Sequence, residues 1–407
     1  MARLLLHGGE VLDGTGAAAA TADVVVDTAT GTVLDVGPGL DGDEALDCTG
    51  ATVTPGFVDA HVHVTSSGVD LLSRVTTPFS YQFFAAARNL TATLRAGVTT
   101  VRDAGGADAG VRQAVADGLV AGPRMRIAVS ILGQTGGHSD GWMPSGHCVP
   151  LSLPHPGRPS GVADGVEGVR LKVREVLRAG ADVVKICTTG GVLSPGDDPE
   201  HSQFSPEEIA VVVAEAAAQG REVMSHAQGA TGIKNAVRAG VRSIEHGIFL
   251  DDEAIALMLE RDTVLVPTLV APRAVLEAAA AGARLPAEVV AKAAAVVDVH
   301  TESIRRAVEA GVRIAMGTDS GVGPHGRNLE ELPLMAACGM SPEAVVAAST
   351  SAGARLLGLG DVTGRVSPGL AADLCVVSGS LDGDGGLDGL SARLRAVRRA
   401  GVPVALA

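Results

Sequence analysis

Aromatic residues are scarce. They make up 2% of the 407-residue chain, with one Trp, one Tyr and six Phe, so Val, Ala and Leu must fill the core. Basic charge is also short: 32 Lys and Arg against 46 Asp and Glu give 32 − 46 = −14. An acidic chain with scattered cations has no electrostatic footprint for nucleic acid or for an anionic membrane. Cysteine is sparse and widely spaced. Cys48, Cys148, Cys187, Cys338 and Cys375 form no CxxC pair, and their odd number argues against a disulfide framework or a thiolate zinc site. No run of about 18 apolar residues occurs, so no membrane span is expected. The opening "MARLLLHGGEVLDG" has one basic residue and too short an apolar run for a signal peptide. These absences lead to the expectation of a soluble, cytoplasmic protein acting on a small molecule.

Hydrophobic residues, at 46%, are ample for a core, and the length allows one large barrel-type domain plus a smaller one, or two or three ordinary domains. Residues 1–54 read as short Val/Leu/Thr strands broken by Gly and Asp turns, and "GRVSPGLAADLCVVSGS" and "LRAVRRAGVPVAL" repeat that style near the other end. The expectation is a β-sandwich of 1–54 plus 361–407, with the middle of the chain inserted into it. That middle, 55–360, alternates apolar runs with Ala-rich helical stretches. The runs are "GFVDAHVHV", "GVTTVRDAGG", "RMRIAVSIL", "ADVVKICTT", "EVMSHAQG", "VRSIEHG", "TVLVPTLV" and "VRIAMGTDS". "SPEEIAVVVAEAAAQG" shows a Ser N-cap, Pro at the first helical position and a Gly stop. Eight strand–helix units predict an α/β fold, a (β/α)8 TIM barrel. The Gly/Pro-rich stretch 133–161 reads as a long loop at the barrel mouth.

Catalytic groups of such a barrel come from the C-terminal ends of its strands. Those ends carry His61, His63, Lys185, His226, His246 and Asp319. His61 and His63 are two apart, so on a strand both rings face one side and can reach one ion; a hydrogen-bonded histidine pair is the alternative. His226 and His246 taken singly could be satisfied core histidines, and Asp319 in "MGTDSG" a helix N-cap. Lys185 sits inside the apolar run "ADVVKICTT", where an ammonium must find a partner or lose its proton. It could also snorkel to the barrel mouth or pair with an acid. No GxSxG elbow and no persuasive Cys/His nucleophile is present.

"PGFVDAHVH", a strand lysine, "SHAQG", "IEHG", "GTDSG" and the tail "GRVSPGLAADLCVV" together resemble the amidohydrolase superfamily of metal-dependent hydrolases. Within it the chain is similar to the prolidase-like branch related to imidazolonepropionases, which holds Xaa-Pro dipeptidases and Xaa-Arg carboxypeptidases. The resemblance implies two divalent metal ions, zinc by expectation. His61, His63 and Asp319 would hold one and His226 and His246 the other, with an N-carboxylated Lys185 bridging them. It further implies that a metal-bridging hydroxide attacks an amide carbonyl with Asp319 as general base, and that His138, in "TGGHSDG", polarises that carbonyl. An apolar strand suits the lysine, because burial yields the neutral amine that attacks carbon dioxide.

Other residues are weaker candidates. Tyr81 could line the substrate pocket or simply pack. Arg102 and Asp103 could be a structural ion pair supporting the site. His325, Arg327 and Asn328 follow Asp319, and a cation there could bind a substrate carboxylate or merely cap a helix. Relatives of the branch carry "HAY" where this chain has "SHAQG", so Gln228 stands at a substrate-binding position and leaves Xaa-Pro specificity open. The expected reaction is hydrolysis of an amide in a dipeptide such as Xaa-Pro or in an N-acyl amino acid. The alternatives are an imidazolonepropionase-like ring opening, another amide, lactone or ester hydrolysis, or a non-catalytic scaffold. A homo-oligomer is compatible with the resemblance.

Overall fold

The computed structural model describes residues 3–143, 145–382 and 386–406. Both ends of the chain build one β-sandwich. Its smaller sheet has the order Thr32–Gly37, Asp23–Asp27, Arg3–His7, Glu44–Asp47. The larger runs Val402–Pro403, Leu394–Arg399, Leu374–Ser378, Ala51–Pro55, Glu10–Val11, Ala20–Thr21. The two ends meet where Leu374–Ser378 pairs antiparallel with Ala51–Pro55, Cys375 opposite Thr54. Leu4, Leu6, Val24 and Val26 from one sheet share an apolar core with Val11, Val53, Leu374 and Val376 from the other. The period-2 alternation of these residues is what turns them inward.

Gly56 joins this sandwich to the first barrel strand. A Cβ there would lie 2.2 Å from Thr99 Oγ1, so the close approach of the two strands requires glycine. The barrel strands follow as Phe57–Val62, Val98–Asp103, Arg124–Ile127 continued by Ile131–Leu132, Val183–Cys187, Glu222–Ala227, Ser243–His246 and Val264–Val266. Neighbours pair in parallel throughout. The third run differs from the continuous strand expected, because Val129, at φ 66°, breaks it into two pieces.

The eighth run, 312–320, is not a regular strand. It closes the barrel through single bridges, Leu265 to Ile314 on one side and Val62 to Ser320 on the other. Ala315 N donates to Leu265 O and Ala60 N to Met316 O, both within normal hydrogen-bond range. The ladder is lost because the backbone turns sharply at Asp319, where φ is 57°.

Helices cover the outside. The helix Pro206–Ala218 starts as its sequence predicts, with a reciprocal capping box between Ser205 and Glu208 and Pro at its first turn. The long loop after the third strand folds back over the mouth through bridges Gly133 to Val162 and His155 to Arg158. Arg158 anchors it from inside, donating to the carbonyls of Leu153 and Gly106 and to Gln82 Oε1. No helix among the described residues is long and apolar enough to cross a membrane.

The seventh-strand helix, Val270–Ala280, begins on a buried acid. Glu331 accepts from Leu269 N at 2.7 Å and Val270 N at 2.9 Å, and burial pushes its carboxyl up to about 8. The folded chain therefore keeps a proton that the unfolded chain releases near 4.5. Stability from this group is complete below the unfolded value and is lost as pH rises through the folded one. In Glu331→Gln the decline of the urea midpoint between about pH 5 and about pH 8 is expected to be shallower than in the wild type. Parallel declines in the two proteins would show that Glu331 does not titrate there.

Candidate metal and active site

The first barrel strand delivers His61 and His63 to the mouth, with ring centroids 5.4 Å apart and ring planes at 69° to each other. Asp319 meets them from the eighth run. One ligand atom from each of these three residues lies within 4.8 Å of the others. Asp319 Oδ1 is 3.2 Å from His63 Nε2 and 3.5 Å from His61 Nε2, yet it is buried and makes no well-directed hydrogen bond. Lys185 Nζ lies 3.5 Å from His61 Nε2. His246 stands 5.2 Å from His61 between ring centroids, and His226 4.7 Å from His246. All six line one cavity together with His138, whose ring stacks on His226 at 4.1 Å.

Each histidine at a strand end uses one ring nitrogen on the protein. His61 Nδ1 donates to Glu245 Oε2 at 2.7 Å, His63 Nδ1 to Gly105 O at 2.7 Å and His226 Nε2 to Gly190 O at 3.0 Å. His246 Nδ1 is 2.7 Å from Thr268 Oγ1. The second nitrogen of every ring is left for the cavity, which is the usual arrangement of metal-binding histidines. Converging nitrogens, a carboxylate oxygen without a partner and a buried lysine make a donor set that fits divalent ions of the zinc type.

Electrostatics favour the neutral form of three of the rings and of the lysine. Burial pushes the His61, His226 and His246 imidazoles well below their ordinary value. Burial also lowers the Lys185 ammonium, against the pull of Glu245. For Asp319, burial acts upward but is outweighed by the facing His63, then by His61 and Lys185, and the carboxyl falls below its ordinary range. His63 is the converse: burial acts downward, and Asp319 outweighs it and raises the ring. Cys187 lines the same cavity, but burial pushes its thiol up to about 12, which makes it a poor nucleophile.

Glu245, Ser243 and Asp59, which the sequence did not single out, hold this arrangement together with Arg102, Asp103 and Asn328. Glu245, fully buried, binds His61 on one oxygen and Arg102 on the other at 3.0 Å, with Ser243 Oγ also donating to it. Arg102 thus pairs across the barrel and not with Asp103, because neighbours on a strand face opposite sides. Asp103 instead accepts the N–H groups of Val64, Gly105 and Ala107, which pins the loop carrying the His63 partner. Asn328 donates to Asp59 Oδ2 at 2.8 Å, and Asp59 in turn accepts from His61 N and Thr318 Oγ1. The signal available in the sequence was a carboxylate or cation within a fully apolar run, as in "SIEH" and "VRD".

The expected substrate residues divide. Gln228 is buried and lines a chamber next to the ring cluster. Tyr81 starts the helix Tyr81–Arg95 and is 54% exposed; it lines an outer groove beside Phe79, outside the inner cavity. His325 lies behind the site. Its Nε2 faces Ser66 O at 3.1 Å and His63 O at 3.3 Å, and burial lowers the ring to about 4, so it braces the loop after the first strand. Arg327 points to the surface and pairs with Glu277 and Glu330, which corrects the expectation of a carboxylate-binding cation there. His138 Nδ1 lies 2.6 Å from Ser194 Oγ, which donates to Asp197.

A sequence profile of the amidohydrolase family matches residues 52–402. The chain is 37% identical over 335 residues to ochratoxinase of Aspergillus niger, covering 79% of this chain and 68% of that protein. Among solved structures it is similar to a prolidase complexed with N-methylphosphonate-L-proline, at 37% identity and a TM-score of 0.90 over 99% of each chain. It is also similar to a Xaa-Pro dipeptidase with methionine bound in the active site, at 34% identity and a TM-score of 0.88 over 98% of this chain and 99% of that one.

The Arg102–Glu245 pair makes a direct prediction. Arg102→Met leaves a carboxylate uncompensated in the barrel interior, and a stability loss of about 3–5 kcal/mol is expected as a lower urea midpoint. An unchanged midpoint would show that Glu245 is satisfied by His61 and Ser243 alone.

Proposed function

The chain belongs to the amidohydrolase family, and we propose that it is a binuclear metal-dependent hydrolase cleaving the amide bond of a small dipeptide-like or N-acyl amino acid substrate. The observation that carries this reading is the convergence of four imidazole rings, the Asp319 carboxylate and a buried lysine on one cavity at one end of one barrel. The similarity to a prolidase and to a Xaa-Pro dipeptidase supports a dipeptide-like substrate, and that to ochratoxinase supports a wider range of amides.

His61, His63 and Asp319 would hold one ion, and His226 and His246 the other. Lys185 would lie between them. Burial favours its neutral amine, which attacks the carbon of carbon dioxide, forms an N–C bond and sheds a proton to leave a carbamate anion. Divalent ions of the zinc type bound there lower the pKa of a water molecule and polarise a carbonyl.

Asp319 is the group placed to move the proton. It would take one from the attacking water and deliver it to the departing amine, and its lowered pKa keeps it ionised, and so able to accept, when substrate arrives. Glu245 and Gly105 O hold the His61 and His63 rings in one tautomer, so their orientation is set before substrate arrives. His138 donates from Nδ1 to Ser194 Oγ, so its Nε2 faces the cavity as an acceptor for an N–H of the substrate. The strand residue Ile131 and the loop residues Leu151 and Leu193 close around the cavity and limit water around the reacting bond.

The test is a hydrolysis screen of zinc-loaded protein on Xaa-Pro and Xaa-Arg dipeptides, N-acyl amino acids and lactones, read by release of amine or acid. Turnover of an amide is expected; turnover of lactones alone would reject the amide reading. About two ions per chain are expected, with metal content and activity both lost in Lys185→Ala. Full activity in that variant would sink the bridging role. Asp319→Asn is expected to lower kcat by about 10²–10⁴-fold, and a wild-type rate would remove Asp319 as proton carrier.

A further inference from the structure

The chain after the strand Val183–Cys187 makes an irregular turn that lies against the His138 ring. A Cβ on Gly191 would stand 2.3 Å from His138 Cε1, so the ring packs directly on that backbone and glycine is required there. The same ring stacks on His226, centroids 4.1 Å apart. Its position therefore depends on where the turn lies. Yet the turn has no ladder of its own. Among the described residues, no backbone-to-backbone hydrogen bond joins two members of 191–197.

Side chains hold it instead. Lys292 reaches in from the helix Ala287–Ala310, which supplies none of the six metal-site side chains. It donates to Asp197 O at 2.7 Å, Ser194 O at 2.8 Å and Gly191 O at 3.3 Å, so three ammonium donors meet three carbonyls of one turn. The same ammonium lies 3.7 Å from Asp197 Oδ1 and 3.3 Å from Glu288 Oε1. Asp197 Oδ1 accepts from Ser194 Oγ, and Ser194 Oγ accepts from His138 Nδ1 at 2.6 Å. The direction of this chain is fixed at the acid end, because a carboxylate only accepts. Gln203 ties both ends: its Nε2 lies 3.4 Å from Asp197 Oδ2, and its Oε1 accepts from His138 N at 3.0 Å.

We propose that Lys292 and Asp197 are positioning residues for the hydrolysis: Lys292 locks the turn 191–197, and the turn, through Asp197 and Ser194, sets the tautomer and direction of the His138 ring. Neither residue lines the cavity, so they reach the substrate through others. The physical reason is order. A turn without a ladder has many shapes open to it, and an ammonium that gathers three of its carbonyls selects one. The ammonium also compensates the Asp197 carboxylate, whose side chain is 9% exposed. A reacting group misplaced by about 1 Å costs about 10²-fold in rate, which is the scale on which such a clamp acts.

The inference rests on the hydrolase reading above, and the test separates the two. Zinc-loaded full-length protein is assayed by amine release on N-acetyl-L-leucine and on the dipeptide leucylproline. Lys292→Met and Ser194→Ala are each expected to lower kcat/KM about 10–100-fold with metal content unchanged. In a His138→Ala background the same replacements are expected to change it less than about two-fold. A merely structural clamp would cost the same factor in both backgrounds, and that result overturns the proposal. Wild-type activity in both variants, or loss of their metal, overturns it too and leaves the hydrolase reading standing. If Lys292→Met fails to fold, Ser194→Ala decides, since it cuts only the link between turn and ring. If neither compound is hydrolysed, the hydrolase reading fails for these amides, and imidazole ¹⁵N spectra of the zinc-loaded protein decide the positioning. The His138 signal, identified by its loss in His138→Ala, is expected to show the proton on Nδ1 in the wild type and mixed tautomers in Lys292→Met. The same single tautomer in Lys292→Met and Ser194→Ala overturns the inference.

Discussion

A chain of buried charge across the barrel governs this site. The Arg102 guanidinium meets Glu245, and Glu245 meets His61, with side chains that are 3%, 0% and 1% exposed. None of these groups is tolerable alone at that depth, since each would pay its desolvation without compensation. Together they satisfy one another, and Arg102 also donates to Ala60 O and Ser243 Oγ. The result is an imidazole whose tautomer and direction are fixed from behind. Replacing the trio by apolar side chains would fill the same volume and lose that orientation.

The same principle extends outward. Asp59 and Asp103 are buried carboxylates that accept backbone N–H groups, and burial raises Asp59 to about 6. They tie the first, second and eighth barrel elements together at the mouth. The backbone carries the consequence, since His246 and Asp319 adopt left-handed φ of 75° and 57°. For residues with a Cβ that conformation is disfavoured, and it persists where packing and hydrogen bonds over-determine it. Here it turns one ring and one carboxylate towards a common point that regular strands would not supply.

The distribution of polarity also divides the molecule by task. The sandwich has an apolar core of Val and Leu from both chain ends. The barrel mouth collects histidines, carboxylates and one lysine. The loop of 133–161 and the stretch around Val192 and Leu193 supply apolar cover over that polar floor. Any group that enters the cavity therefore meets apolar walls over a polar floor in which a few placed atoms fix its orientation.

Periodicity and residue type determined much by themselves. The apolar runs followed by capped helices located seven regular strands and the irregular eighth, because burial on both faces leaves an unmistakable run of Val, Ile and Ala. His61, His63, Lys185, His226, His246 and Asp319 were legible because ionisable residues at the ends of such runs have no place in an apolar core. Only the tertiary structure decided the partners. Arg102 turned to Glu245 across the barrel instead of to its neighbour Asp103, and His325 turned inward to brace a loop while Arg327 turned outward to Glu277 and Glu330. Tyr81 went to an outer groove, and Gln228 with His300 went to one chamber although 72 positions separate them in sequence. Local pattern fixes which face a residue occupies, but the residue it meets there depends on barrel closure and loop path, and neither is written in any short window of sequence.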